Sequence, residues 1–109
     1  MPTLHIEHPI TDFGAWSSAF ARFAEARRQA GVQAQRVQRP AGDPNYVVID
    51  LDFGTHGEAE AFLRFLQTQI WGVPGNAPAL AGSPHTMILE PAPATAGATG
   101  PGTEGQGDG

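Results

Sequence analysis

Residues 46–53, with the sequence YVVIDLDF, constrain the fold more than any other segment, because apolar and polar side chains alternate along them. Every odd-numbered position is apolar, whereas the even-numbered positions include Tyr46, Asp50 and Asp52. Alternation with a period of two predicts a β-strand with one buried face and one open face. Antiparallel sheets often expose one face to water in this way. The chain therefore needs further strands beside this one and helices over its apolar face.

A second strand is predicted at residues 3–8, where Leu4 and Ile6 alternate with His5 and Glu7. Pro9 ends this strand, since proline has no N–H to donate to a neighbouring strand. Residues 32–39 form a weaker strand whose many polar side chains are typical of a sheet edge. Residues 84–90 supply the fourth strand.

Two amphipathic helices are predicted between these strands. Thr11 or Asp12 can cap the first helix, and Gly31 is placed to end it in a left-handed conformation. Thr55 and Glu58 form a capping box that begins the second helix, which stops near residues 71–72. Both helices carry an apolar stripe at spacings of three and four: Phe13, Trp16, Phe20 and Phe23 in the first, and Ala59, Phe62, Leu63, Leu66 and Ile70 in the second.

The predicted element order β-α-β-β-α-β defines an α+β, ferredoxin-like sandwich. Right-handed crossovers place the strands in the order 4-1-3-2, with both helices on one face of the sheet. This single domain occupies residues 1–90. Residues 91–109 are rich in glycine, proline and alanine, and we expect a disordered tail there because they cannot bury enough apolar surface.

Composition removes several classes of function. The chain has no cysteine, and all six basic side chains are arginine, so thiolate, disulfide and lysine-imine chemistry are excluded. A formal net charge of −5 argues against nucleic acid and anionic membranes as partners. The sequence has no apolar run of membrane-spanning length and no secretory signal, so we expect a cytoplasmic protein.

The predicted topology gathers titratable side chains on the open face of the sheet. Because the first and third strands are neighbours, His5 and Glu7 share that face with Tyr46, Asp50 and Asp52. One hypothesis is catalytic: His5 acts as general acid or base, Glu7 or Asp50 orients it, and Tyr46 donates to a developing oxyanion. The alternative is that the face is polar simply because water contacts it.

Three further residues are candidate ligand contacts: Asp52, Trp71 and His85. Trp71 could also be a core lid or a subunit contact, and His85 could join His5 or be exposed. Trp16 is interpreted as core, and His8 as a strand-end residue. No metal site is predicted, since His5 and His8 fall on opposite faces of one strand.

The segments LHIEHPITDFGAWSSAF and YVVIDLDF, the capping-box helix and the closing ILEP together resemble the dimeric α+β-barrel superfamily across residues 3–90. That superfamily includes cofactor-independent monooxygenases of the antibiotic-biosynthesis type, polyketide cyclases and stress-responsive proteins. The resemblance implies a homodimer that pairs its open sheet faces, and a pocket either between sheet and helices or inside the barrel. It assigns no catalytic residue.

The sequence is compatible with two functions. The first is a cofactor-independent enzyme of the cyclase or monooxygenase type, acting on a small phenolic or enolic molecule, with an aromatic or polyketide-like ligand. The second is a non-catalytic dimeric module that binds a ligand or regulates a partner. Whether the polar sheet face is a pocket or a subunit interface separates the two.

Overall fold

The computed structural model describes residues 1–93, so the predicted tail lies outside the described residues from position 94 onward. Within the described part, four strands and three α-helices follow one another along the chain. They are β1 (Thr3–Pro9), α1 (Phe13–Arg22), α2 (Ala24–Ala30), β2 (Val32–Gln38), β3 (Tyr46–Phe53), α3 (His56–Phe65) and β4 (His85–Leu89).

The strands form one antiparallel sheet in the order β2-β3-β1-β4. This is the predicted order 4-1-3-2 seen from the opposite edge, and the prediction of a ferredoxin-like α+β fold is confirmed. In the register of the two central strands, His5 lies opposite Asp50. On the other side of β1, Glu7 lies opposite His85 and His5 lies opposite Met87.

The core lies between the helices and one face of the sheet. Burial alternates residue by residue along β1 and β3, as the sequence pattern predicts. Leu4, Val47, Leu51 and Phe53 are completely buried. Burying each of these side chains stabilises the fold by about 1.5–3 kcal/mol, so this face of the sheet carries most of the apolar packing.

The first helical region differs from the prediction, because two helices replace one. The break lies at Phe23, whose φ of −104° and ψ of 19° leave the helical region. The carbonyl oxygen of Phe20 accepts a hydrogen bond from Arg27 Nη1 at 2.6 Å, and the N–H of Phe23 also reaches it. A side chain that takes over a helix carbonyl is a recognised cause of a kink. Gly31 ends α2 at φ 99°, which confirms the predicted left-handed end.

The second helical region begins as predicted and ends near residues 71–72 as predicted, but its last turn has a different geometry. Thr55 and Glu58 form the predicted capping box at the start of α3. After Phe65 the chain continues as a π-helical turn, Leu66–Ile70, which the apolar spacing does not predict. Such wide turns are often found at functional sites. None of the helices in residues 1–93 is long and apolar enough to cross a membrane.

Candidate functional site

The open face of the sheet carries a hydrogen-bonded group of four side chains, His5, Glu7, Tyr46 and Asp50, which we call the open-face cluster. His5 Nδ1 lies 2.7 Å from Asp50 Oδ1, and His5 Nε2 lies 2.8 Å from Glu7 Oε2. Tyr46 donates its hydroxyl proton to Glu7 Oε1 at 2.7 Å. The structure thus brings together the four residues that the sequence nominates as catalytic.

The cluster favours a charged His5. Carboxylate oxygens only accept hydrogen bonds, so both ring nitrogens of His5 carry protons when both contacts form. The pKa of His5 is raised above 6.5, chiefly by the hydrogen bond with Glu7 and further by Asp50, while burial opposes the rise. The same bond to His5 lowers the pKa of Glu7, and the bond to Glu7 raises the pKa of Tyr46. A general base needs a free lone pair, and His5 in this state has none.

Other side chains extend the open-face cluster toward both sheet edges. Thr3 donates to Asp52 Oδ1 at 2.6 Å, and Arg36 lies 3.8 Å from carboxylate oxygens of both Asp50 and Asp52. On β4, His85 is exposed, and Met87 and Leu89 are each 43% exposed beside it. The open face therefore combines paired charges with exposed apolar side chains.

The opposite side of the sheet holds a cavity of about 80 Å³, the sheet–helix cavity. Its walls come from the inner sheet face, the three α-helices, the π-helical turn and the loop before β4. Most of them are apolar or aromatic, including Ile49, Trp16, Phe20, Phe62, Leu66 and Trp71. Two of the polar residues that line it, His8 and Arg27, are buried.

His8 lies on the covered side of β1 and is only 3% exposed. Its Nδ1 donates to the carbonyl oxygen of Pro9 at 2.9 Å, which leaves the Nε2 lone pair of the neutral ring available. Burial lowers the pKa of His8, so the neutral form is favoured. The interpretation of His8 as a strand-end residue is therefore incomplete. His8 follows Leu4 and Ile6 in steps of two along the strand, so strand alternation was the signal that would have placed it on the same covered face.

Arg27 is the second polar residue of the cavity wall, and it is 7% exposed. Its guanidinium carbon lies 3.6 Å from the centre of the Phe20 ring, and Nε donates to Gln35 Oε1 at 3.0 Å. Arg27 follows Phe23 by four residues, so the sequence spacing alone places it on the apolar stripe of the first helix. An arginine at an apolar position of a helix was the available signal.

The three predicted ligand contacts do not form one site. Trp71 lines the sheet–helix cavity, whereas Asp52 and His85 lie on the open face, on different strands. Trp16 stacks on Phe20 with ring centres 4.8 Å apart, and it also lines the cavity. Across residues 1–93 no cluster of three or more histidine, aspartate or glutamate side chains could hold a metal ion.

No protein-family model matches the chain, and no curated protein matches it. Solved structures do match it. A protein from Deinococcus radiodurans, provisionally described as an antibiotic biosynthesis monooxygenase, is 16% identical with a TM-score of 0.65, covering 87% of this chain and 96% of its own. A similarly described protein from Nitrosomonas europaea is 18% identical with a TM-score of 0.63, covering 84% of this chain and 98% of its own.

A third match is the monooxygenase ActVA-Orf6 of Streptomyces coelicolor in complex with nanaomycin D. It is 14% identical with a TM-score of 0.59, and the match covers 86% of this chain and 89% of that one. This chain has the ferredoxin-like fold of the antibiotic biosynthesis monooxygenases. At these identities the likeness concerns the fold alone.

Proposed function

We propose that this protein binds a small phenolic or enolic molecule in the sheet–helix cavity and oxidises it with dioxygen, without a cofactor. The observation that carries the proposal is the buried imidazole of His8, bonded through Nδ1 to Pro9, in the wall of an apolar, aromatic cavity. The shared fold with a monooxygenase that binds nanaomycin D supports this choice of chemistry.

His8 would act as the proton acceptor. A neutral imidazole with a free Nε2 can take the hydroxyl proton of a phenol, and the resulting anion is rich enough in electrons to react with dioxygen. In the overall reaction, a phenol and dioxygen give a quinone and water. The phenol loses one ring C–H and its O–H, one oxygen atom of dioxygen becomes a new carbonyl, and the other leaves as water. The apolar walls would exclude bulk water from the reacting anion.

The size of the cavity limits the ligand. Its volume of about 80 Å³ is well below the ~300–1,000 Å³ common for drug-sized ligands. We therefore propose that one ring of the ligand occupies it, between aromatic side chains such as Phe20 and Phe62. Single-ring phenols are accordingly the first probes to use.

The test measures binding and turnover separately. Trp16 and Trp71 are the only tryptophans of the chain and both line the cavity, so their fluorescence reports binding of phenol. Oxygen uptake reports turnover. We expect His8→Asn to lower uptake by about 10²–10⁴-fold, with the asparagine amide still able to donate to Pro9. His56→Asn, on the exposed start of α3, is the matched control.

Each outcome separates the candidate functions. Uptake that His5→Ala abolishes and His8→Asn leaves intact would return catalysis to the open-face cluster. Binding of phenols without uptake by the wild type would favour the non-catalytic binding module. No fluorescence response to any phenol would contradict the cavity as a ligand site.

We further propose that two copies of this chain pair through their open sheet faces. Met87 and Leu89 expose apolar surface there, and a domain of about 90 residues gains stability from association. A dimeric ferredoxin-like protein from an uncultured marine organism shares the fold with a TM-score of 0.58 and 11% identity. In this arrangement the open-face cluster enters the interface with its hydrogen bonds already made.

Sedimentation velocity tests the pairing. Met87→Glu would place a carboxylate opposite His5 in the register of the sheet, on the proposed interface. We expect it to shift the protein from dimer to monomer. Val73→Glu is the matched control, because Val73 is 40% exposed but lies in the loop after the π-helical turn. Equal sedimentation of Met87→Glu and the wild type would contradict pairing through this face.

A further inference from the structure

Arg27 is a buried cation with no acidic partner among residues 1–93. Its guanidinium forms none of the salt bridges of the described residues, although Arg27 as a whole residue is only 7% exposed. The other arginines of the chain are exposed. A buried charge ordinarily requires a paired charge or a full set of hydrogen bonds.

The hydrogen bonds of Arg27 are incomplete. Guanidinium has five N–H groups, and only two are used within residues 1–93, by the carbonyl of Phe20 and the side chain of Gln35. The face of the Phe20 ring supplies a cation–π contact. Three N–H groups of this cation, which lines the sheet–helix cavity, therefore have no hydrogen-bond partner among the described residues.

We infer that the sheet–helix cavity takes an aromatic carboxylate, whose ring lies among the aromatic walls and whose carboxylate pairs with the free N–H groups of Arg27. The inference rests on the proposed function, since it assigns a ligand class to the same cavity. It adds a second polar anchor, separate from the proton acceptor His8.

A carboxylate fits this position better than other anions. The planar fork of guanidinium matches a carboxylate in two parallel hydrogen bonds. A flat acid attached to one ring also suits a cavity of about 80 Å³ walled by Phe20, Phe62 and the two tryptophans. The ligand anion would supply the negative charge that residues 1–93 do not place beside Arg27.

Titration with two probes of nearly equal shape tests the inference on the wild-type protein. Benzoate carries the carboxylate, and benzamide replaces it with a neutral group. We expect benzoate to bind about tenfold or more tightly than benzamide, because charge-assisted hydrogen bonds to a buried cation are stronger than neutral ones. The fluorescence of Trp16 and Trp71 gives both dissociation constants.

Variants then assign the preference to Arg27. Arg27→Met keeps the apolar stem, and we expect it to abolish the preference for benzoate while benzamide still binds. Arg28→Met is the matched control: it removes the same charge from an exposed position of α2, and it should keep the preference. If Arg27→Met fails to fold, as near-ultraviolet circular dichroism would show, the wild-type comparison still decides.

Failure of the carboxylate inference can be distinguished from failure of the proposed function. Equal binding of benzoate and benzamide by the wild type, or loss of the preference in Arg28→Met, overturns the carboxylate inference and leaves the cavity as a ligand site. Absence of binding by phenol, benzamide and benzoate overturns both this inference and the proposed function.

Discussion

His5 and His8 lie three residues apart on β1, and they have opposite chemistry. His5 lies on the open face between two carboxylates, which raise its pKa. His8 lies on the covered face against apolar side chains, and burial lowers its pKa. Strand alternation sends positions separated by an odd number to opposite faces. The side chains around each imidazole, rather than the residue type, therefore determine which of the two histidines can accept a proton.

The two faces also differ in what their polar groups leave unused. In the open-face cluster, each ring nitrogen of His5 has a carboxylate partner and Glu7 accepts from two side chains. On the covered face, residues 1–93 leave one ring nitrogen of His8 and three N–H groups of Arg27 without a hydrogen-bond partner. A cluster whose members satisfy one another has little capacity left for a ligand. Unused hydrogen-bonding capacity in a cavity points to a ligand more strongly than the number of titratable residues.

The largest expected effect contrasts two leucines on opposite faces of the sheet. Leu51 is completely buried, and Leu51→Ala should lower the free energy of unfolding by about 2–5 kcal/mol. Leu89 is 43% exposed, and Leu89→Ala should change the stability of the protomer by about 0.5 kcal/mol or less. Urea denaturation at low protein concentration measures both.

Protein concentration is the control for this contrast. The loss of unfolding free energy caused by Leu51→Ala should be the same at every protein concentration, because it arises inside one protomer. The loss caused by Leu89→Ala should grow as concentration rises, if pairing buries the open face. Equal losses of unfolding free energy for the two variants at low protein concentration would contradict the difference in packing between the two faces.

A smaller effect is expected in the pH dependence of stability, where the histidines should act in opposite directions. The pKa of His5 is raised in the folded state, so its stabilising contribution is complete below pH 6.5 and is lost as pH rises through the folded pKa. The pKa of His8 is lowered, so its contribution is present above pH 6.5 and is lost as pH falls through the folded pKa. Unfolding free energies measured from about pH 5 to about pH 8 cover both.

Two variants isolate these contributions. In His5→Asn, the remaining effect of His8 should make stability rise with pH through this window more steeply than in the wild type. In His8→Asn, the effect of His5 should make stability fall as pH increases above 6.5. Curves that change in the same direction for both variants would contradict the difference between the two faces.

The fold could be predicted because it follows from local patterns that the structure preserves. Alternation in residues 46–53, the capping box at Thr55 and the glycine at position 31 each fix an element or its end. Crossover handedness then limits the strand order to the one observed. The break at Phe23 was not predictable from spacing, because it involves a hydrogen bond from Arg27, four residues further along the chain.

The candidate site was less predictable for a related reason. Sequence alternation correctly groups His5, Glu7, Tyr46 and Asp50, but it does not show that these side chains satisfy one another. A cavity depends on how helices pack over the sheet, and the π-helical turn that helps to line it has no spacing signature. Polar residues at positions where the pattern predicts apolar ones, here His8 and Arg27, are the sequence signal that indicates such a cavity.

The smallest expected effect concerns Arg36, the cation at the edge of the open-face cluster. Arg36 is 55% exposed and lies 3.8 Å from its two carboxylate partners, so the pairing is long and open to solvent. Arg36→Gln should lower the free energy of unfolding by less than about 1 kcal/mol at low protein concentration. Arg64→Gln, on the exposed side of α3, controls for the general loss of one positive charge.

Removing one partner of a buried ion pair would instead cost about 3–5 kcal/mol. A loss of that size at low concentration would show that the open face excludes water as the covered face does. A loss that appears only at high concentration would place Arg36 at the edge of the proposed interface.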